Sequence, residues 1–355
     1  MKYKKITLVF FFIILILLDY FLTNIYKSIR NILLSDPRVP NRVYHHDLKI
    51  NFQSYGIINE KVFTNSLGFR DFSSRVVDIN SNNKVLLIGD SFTYGLFNNY
   101  EDSYAGLITK YYANKNIEVL NAGSVSYSPI IYYKKIEYLI NNIKLNINEV
   151  FLFIDISDVY DDLYRYELNI DDNVVDKDLA TNNLIKNTKL KKIKNFISSN
   201  FTFSFYFLDF FNDIISPEEV SKQFWIINHR NSRWNWNEKY LNEAKEGLRL
   251  NGYYLDKIKK LLDEKSINLK IIIYPWPSDL FYRKQKTQHE LYWENWSKKN
   301  NVKIYNFIQD FDYIKEFEDK KKLEIIKKLY HKNDMHFNKY GSSLFYEKII
   351  NFLND

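Results

Sequence analysis

The stretch Lys84-Val85-Leu86-Leu87-Ile88-Gly89-Asp90-Ser91-Phe92-Thr93-Tyr94-Gly95 decides how this chain is read. Its first half is a short aliphatic and β-branched run closed by glycine, the pattern of a strand buried on both faces of a parallel sheet. Its second half sets a serine directly after that strand and before a helix. In an open parallel sheet, the loops at the carboxyl ends of the strands form the ligand crevice. A serine there presents its hydroxyl beside a helix N-terminus, whose amides can hold an anion. A plain N-capping serine is the other reading of the same position.

Working outward, the strand pattern recurs at Ile117 to Leu120, Val150 to Ile154, Leu269 to Tyr274 and Val302 to Phe307. Helical stretches at Ser103 to Asn114, Ile131 to Ile143, Glu238 to Glu264 and Lys339 to Leu353 follow or separate them. Alternating strands and helices predict an α/β fold with a parallel sheet covered on both faces. Residues 28–80 contain Pro37 and Pro40 and little periodicity, so they read as a stalk and irregular lead-in to a domain spanning 81–355. Residues 160–236 are rich in Asn, Asp and aromatics and read as an insertion. With only 9 glycines and no Gly/Ser run, flexible tethers are not expected.

The chain is 46% hydrophobic and 17% aromatic over 355 residues, which excludes global disorder and allows a large core. Its net charge of +7 is spread among interspersed acids, and no segment interleaves basic and aromatic residues, so a nucleic-acid partner is not expected. The absence of cysteine removes disulfides, thiolate metal sites and a cysteine nucleophile. At the N-terminus Lys2, Lys4 and Lys5 precede an apolar run from Ile6 to Leu18, interrupted by Asp19 and continued to Tyr26. About 20 such residues suffice to cross a bilayer, and no small-residue cleavage site follows. Residues 1–27 are therefore expected to be an uncleaved, single-pass transmembrane anchor, with a cleaved signal peptide as the competing reading. The basic residues favour a cytoplasmic N-terminus and place the remainder outside the cytoplasm.

A serine nucleophile needs a base, and the base needs an orienting acceptor. Asp334-Met335-His336 supplies both near the far end of the chain, although a surface loop capping the last helix through Asn338 would look the same. His45-His46-Asp47 suggests a metal site, but neighbours in an extended strand point to opposite faces, so no metal is expected there. The acids of Asp155 to Asp162 have no defined ligand pattern either.

Gly89-Asp90-Ser91-Phe92 and Asp334-Met335-His336, in this order, resemble the first and last blocks of the SGNH (GDSL-like) hydrolase superfamily. The resemblance runs from about residue 44 to 353 and is weakest in 160–236. It implies a flavodoxin-like, three-layer α/β/α fold, with Ser91 as nucleophile, His336 as base and Asp334 as its orienting partner. The glycine of the second block is matched by Asn121-Ala122-Gly123, making the Gly123 and Ser91 amides the implied oxyanion donors; an ordinary turn glycine fits too. The third block departs from Gly-x-Asn-Asp, because Ser157 of Asp155-Ile156-Ser157-Asp158 stands where the donating Asn is expected. Thr64-Asn65-Ser66-Leu67-Gly68-Phe69-Arg70-Asp71 and Tyr274-Pro275-Trp276-Pro277 resemble segments of bacterial members that carry one N-terminal anchor. The first would dock the stalk on the domain. Trp276 would either line an acyl or sugar pocket or pack in the core, and Trp234 and Trp236 offer the same two readings.

The implied activity is serine-dependent hydrolysis or transfer of an O-acyl group, such as acetyl, without cofactor or metal. The substrates implied are an ester-bearing envelope glycan or a small ester at the bacterial cytoplasmic membrane, facing the periplasm or exterior. For transfer, a membrane partner would deliver the acyl donor. The competing expectation is an SGNH-fold glycan-binding module with weak or no catalysis.

Overall fold

The strands predicted at the sheet centre are fully buried in the computed structural model, which describes residues 10–11, 13–25, 36–56, 60–177, 200–201, 203–204 and 226–354. Two compact units are present, one comprising residues 36–177 and 223–355 and the other residues 1–35 and 178–222.

In the larger unit the chain begins with a hairpin of β1 (Arg38–Asn41) and β2 (His45–Leu48), followed by the short strands β3 (Gln53–Tyr55), β4 (Lys61–Thr64) and β5 (Arg70–Asp71). Then come β6 (Lys84–Ile88), β7 (Glu118–Asn121) and β8 (Glu149–Ile154), a small hairpin of β9 (Tyr166–Leu168) and β10 (Val174–Asp176), and finally β11 (Asn268–Ile273) and β12 (Lys303–Asn306). The main sheet has eight strands in the order β12-β11-β8-β6-β7-β5-β4-β3. From β12 to β7 all neighbours are parallel. The order of these five, β7-β6-β8-β11-β12, is the 2-1-3-4-5 winding of flavodoxin-like folds, whose ligand crevice opens at the first and third strands. Those two strands are β6 and β8.

Alternation along the central strands feeds two cores. Leu86 and Ile88 of β6 and Val150, Leu152 and Ile154 of β8 face one side, where they meet the helices Pro129–Asn141, Glu238–Glu264 and Gln288–Asn300. Val85, Leu87, Phe151 and Phe153 face the other, against Tyr104–Ala113, Asp319–Leu329 and Lys339–Asn354. Each such side chain contributes about 1.5–3 kcal/mol by leaving water, so β-branched and aromatic runs without polar interruption specify a central parallel strand.

The lead-in corrects the stalk expected at 28–80. From residue 36 onward its described residues belong to the larger unit, and β5, β4 and β3 extend the main sheet antiparallel beyond β7. Strands of two to four residues show too few alternations to be legible as a period. In the smaller unit, residues 13–25 are helical. Asp19 accepts from the Thr23 hydroxyl at 3.1 Å and from the amides of Phe203 and Ser204 at 3.2 and 2.8 Å. No helix among the described residues is long and apolar enough to cross a membrane. Residues 1–9, 12 and 26–27 of the expected anchor, and 178–199, 202 and 205–225 of the expected insertion, lie outside the described residues.

Candidate active site

Ser91 opens a one-turn helix, Ser91–Tyr94, at the carboxyl end of β6. Asp90, rather than Ser91, caps it: its Oδ1 accepts from the Phe92 amide at 2.9 Å. Gly95 ends the turn with φ of 79°, in the left-handed region that glycine adopts without a Cβ penalty, and an added Cβ would stand 2.7 Å from that of Ser103. The turn therefore holds the nucleophile by rule rather than by chance packing. The Ser91 amide, the first of the turn, has no acceptor among the described residues.

His336 and Asp334 stand 245 and 243 positions later in the chain, in the loop before helix Lys339–Asn354. The Ser91 hydroxyl lies 2.8 Å from His336 Nε2, and His336 Nδ1 lies 2.5 Å from Asp334 Oδ1. The same carboxylate oxygen also accepts from the His336 amide at 2.8 Å. Burial pushes the Asp334 carboxyl up, but the hydrogen bonds and charge of His336 outweigh this and hold it below its ordinary value. The Ser91 hydroxyl, the His336 imidazole and the Asp334 carboxylate thus form a continuous hydrogen-bonded relay. Asn338 does cap the last helix, accepting from the Gly341 amide at 2.9 Å, so the surface-loop reading and the triad hold together.

Aromatic rings fix the imidazole on both sides. Phe92 stands 4.7 Å from His336, and Phe97 meets it edge-on at 5.7 Å and 78°. Phe97 has φ of 65°, a conformation costing a bulky L-residue roughly 1–2 kcal/mol. Its neighbour Asn98 retains it there, donating from Nδ2 to the Phe337 carbonyl at 2.8 Å. The Asn98 carbonyl accepts from Arg70 at 2.6 Å, and the same buried guanidinium donates to the carbonyls of Tyr94 and Gly95 at 3.0 and 2.9 Å. Arg70 therefore clamps the whole segment that follows the nucleophile. The sequence singled out its motif only as a docking turn.

Two of the expected oxyanion donors are engaged elsewhere. The Gly123 amide donates to Asn121 Oδ1 at 3.1 Å, while Asn121 Nδ2 donates to the Thr93 carbonyl at 2.8 Å. Gly123 instead lets the second loop press on the nucleophile turn, since a Cβ there would stand 2.8 Å from that of Thr93. Both donors of Ser157, its amide at 2.7 Å and its hydroxyl at 2.6 Å, go to Asp155 Oδ1. The Ser157 hydroxyl is therefore not aimed at an oxyanion as expected; a short side chain beside a buried carboxylate satisfies that charge first.

Of the two readings open for Trp276, the structure fits packing. It is only 4% exposed, packs with Phe92 at 6.5 Å and donates from Nε1 to Asp155 Oδ2 at 2.7 Å. It builds the floor under the triad rather than a substrate wall. Trp234 is fully buried and donates to the Ile156 carbonyl at 3.3 Å, whereas Trp236 stacks on Tyr282 at 3.8 Å.

Beneath Ser91 lie buried carboxylates. Asp90 Oδ2 is 3.0 Å from the Ser91 hydroxyl, and Tyr274 donates to Oδ1 at 3.1 Å. Burial, reinforced by the charge of Asp155, pushes the Asp90 carboxyl well above its ordinary value. Burial raises Asp155 as well, opposed by its bonds from Ser157 and Trp276. These acids are committed to protein donors, and no group among the described residues could hold a metal ion. His45 and His46 do meet, with their Nδ1 atoms 2.7 Å apart, because φ of 76° at His45 breaks the strand alternation assumed for them. Their other nitrogens go to Asp176 at 3.2 Å and the Val125 carbonyl at 2.9 Å, leaving no lone pair for a metal.

No protein-family model matches this sequence, and no curated protein matches it. Among solved structures the chain is similar to the psychrotrophic esterase EstA from Pseudoalteromonas sp., at 12% identity, covering 77% of this chain and 100% of that one, with a TM-score of 0.37. The acetyl xylan esterase AlAXEase gives 13% identity over 76% and 98% of the two chains, with a TM-score of 0.41. AlinE4, an SGNH-hydrolase family esterase, gives 13% over 78% and 97%, with a TM-score of 0.35. With TM-scores this low the likenesses carry no weight here, and the site stands on its own geometry.

Proposed function

We propose that this chain is a serine esterase or O-acyltransferase of the SGNH type, working through an acyl-enzyme on Ser91. The observation that carries this reading is the unbroken relay from the Ser91 hydroxyl through His336 to Asp334. Nε2 takes the proton as Ser91 attacks an ester carbonyl, while Asp334 keeps the Nδ1 proton in place and stabilises the imidazolium. The free Ser91 amide is aimed from a helix start and receives the developing oxyanion. Gly123 contributes once its amide turns from Asn121 to the substrate. His336 then protonates the leaving alcohol, and water or a second alcohol takes the acyl group from Ser91.

The substrate class in this reading is an O-acylated, in the simplest case O-acetylated, envelope glycan. The support is the apolar, lysine-flanked N-terminus, read as a single-pass anchor that holds the catalytic domain outside the cytoplasm. In the transferase form a membrane partner brings the acyl donor.

The test is hydrolysis of 4-nitrophenyl acetate by the full chain and by Ser91→Ala, with fluorophosphonate labelling alongside. Activity and labelling that vanish with the hydroxyl are expected. A folded wild-type protein that neither turns over nor labels would sink the enzyme reading in favour of a glycan-binding module.

A further inference from the structure

The geometry points to Asp90 as a further donor to the nucleophile: its carboxyl is held in the acid form and donates from Oδ2 to Ser91 Oγ, across 3.0 Å. This rests on Ser91 being the acyl-transfer nucleophile. The Ser91 hydroxyl has one proton, and two acceptors stand beside it, His336 Nε2 at 2.8 Å and Asp90 Oδ2 at 3.0 Å. His336 keeps its Nδ1 proton for Asp334, so Nε2 holds the lone pair toward which the serine proton must point for attack. Asp90 Oδ2 and Ser91 Oγ then face each other with no serine proton between them. An ionised carboxylate there would repel Oγ or draw the serine proton away from its base. A carboxylic acid there donates to Oγ and leaves the serine proton on His336.

Within the carboxyl, the proton belongs on Oδ2. Oδ1 already accepts from the Phe92 amide at 2.9 Å and from the Tyr274 hydroxyl at 3.1 Å, whereas Oδ2 meets no donor except Ser91 among the described residues. The surroundings favour the acid form. Asp155 and Asp158, in the segment after β8, are also buried, and no lysine or arginine among the described residues pairs with any of the three. Three donors converge on Asp155, the Ser157 amide and hydroxyl on Oδ1 and the Trp276 indole on Oδ2, so Asp155 is the one that carries negative charge. Buried carboxylates that share a site do not both ionise, and charge on Asp155 keeps the proton on Asp90, in the direction that burial itself gives. Besides these acids and His336, the titratable groups facing Asp90 are Tyr274 from the end of β11 and Tyr104 and Tyr132 from helices on opposite faces of the sheet. Burial pushes all three hydroxyls up, so they stay neutral.

Asp90 keeps its proton throughout the reaction. In acylation the bond from the acyl carbon to Oγ forms, the bond to the alcohol oxygen breaks, and the serine proton passes to Nε2 and on to the alcohol. In deacylation the bond to Oγ breaks and Nε2 returns a proton to it. In both transition states Oγ carries negative charge while its proton is on His336, and a donor fixed on Oγ stabilises that charge as an oxyanion donor does.

The experiment measures 4-nitrophenyl acetate hydrolysis and fluorophosphonate labelling by the full chain with Asp90→Asn and with Asp90→Ser. Asn and Ser cap a helix about as well as Asp, and urea midpoints check that the turn is intact; Asn alone keeps a donor, its NH2 group, in reach of Oγ. Asp90→Asn is expected to keep more than about a tenth of the wild-type kcat, and Asp90→Ser to lose about a hundredfold or more at unchanged KM. Asp90→Asn falling as far as Asp90→Ser would mean that the carboxylate charge carries the effect. Asp90→Ser within about tenfold of wild type would mean that Oγ needs no donor. Either result overturns the assignment. A pH profile adds a readout that a capping role would not move. An acid acts only while protonated, so wild-type kcat/KM divided by that of Asp90→Asn is expected to stay level or fall as pH rises, and a ratio that rises overturns the donor. These results leave the nucleophile standing, whereas a folded wild-type chain that neither turns over nor labels removes the nucleophile and the donor together.

Discussion

Replacing Asp334 by Asn separates the two jobs of the triad acid, because both of its hydrogen bonds land on one oxygen. Oδ1 accepts from the His336 amide at 2.8 Å and from Nδ1 at 2.5 Å. An Asn that places its amide oxygen there keeps both bonds and the tautomer, and turns its NH2 group to the place of Oδ2. What it loses is charge. When His336 becomes imidazolium in the transition state, the charge centres lie roughly 4 Å apart, an interaction worth about 4 kcal/mol at an effective dielectric near 20. That corresponds to about a thousandfold in kcat. Asp334→Ala loses the orientation as well and is expected to fall further, toward the Ser91→Ala floor. The assay is single-turnover release of 4-nitrophenol at a fixed pH, with the fluorophosphonate labelling rate as an independent readout. Two results would refute this reasoning. Asp334→Asn within about tenfold of wild type would mean the carboxylate does not stabilise the imidazolium, and Asp334→Asn as inactive as Asp334→Ala would mean the amide does not keep the tautomer.

Ser157→Ala is expected to change kcat less than about threefold, because its hydroxyl serves Asp155; a loss of about a hundredfold or more would restore it as an oxyanion donor. The same variant should lose roughly 1.5–3 kcal/mol of stability in urea, the usual worth of a hydrogen bond to a charged group. Arg70→Met strips the Tyr94, Gly95 and Asn98 carbonyls of a buried donor, and unfolding should become easier by about 3 kcal/mol or more, with labelling of Ser91 lost well before global unfolding. Burial pushes the Asp162 carboxyl up to about 7, against the bonds from Ser128 and Asn251. The folded form then binds its proton more tightly than the unfolded one, so this contribution to stability is full below the ordinary carboxylate range and is lost as pH rises through about 7. The urea midpoint of Asp162→Asn relative to wild type should therefore move in the variant's favour between pH 5 and 8, and movement the other way contradicts the assignment.

The strands that centre the sheet were legible because burial on both faces writes an unbroken apolar run, and β6, β8 and β11 lie within a residue or so of where that run places them. Helix Glu238–Glu264 was legible for a different reason, a long apolar stripe that needs no tertiary information. Ser91, Asp334 and His336 could be picked out because they sit at strand and helix ends, where short polar motifs interrupt the pattern. The remainder depends on partners that local sequence does not encode. β3 to β5 become strands only because β7 offers them an edge. Ser157 looks like an Asn substitute until Asp155 is seen accepting both of its donors. Trp276 looks like a pocket wall until the same carboxylate claims its indole nitrogen. For Ser157 and Trp276 alike the position is set by one fully buried acid, Asp155, whose need for donors decides where they point.

Ser91 and His336 are separated by 245 positions, the first just after the opening strand of the parallel sheet and the second in the loop before helix Lys339–Asn354. On the ribosome the site consequently comes into being only after the segment carrying His336 has been made. A nascent chain can have wound β6 through β12 with Ser91 still lacking its imidazole partner, until helix Lys339–Asn354 emerges and docks, held in part by Lys270 and Tyr112 reaching the Leu353 carbonyl at 2.7 and 2.8 Å. A truncation that removes the loop carrying Asp334 and His336 therefore leaves Ser91 without its imidazole partner.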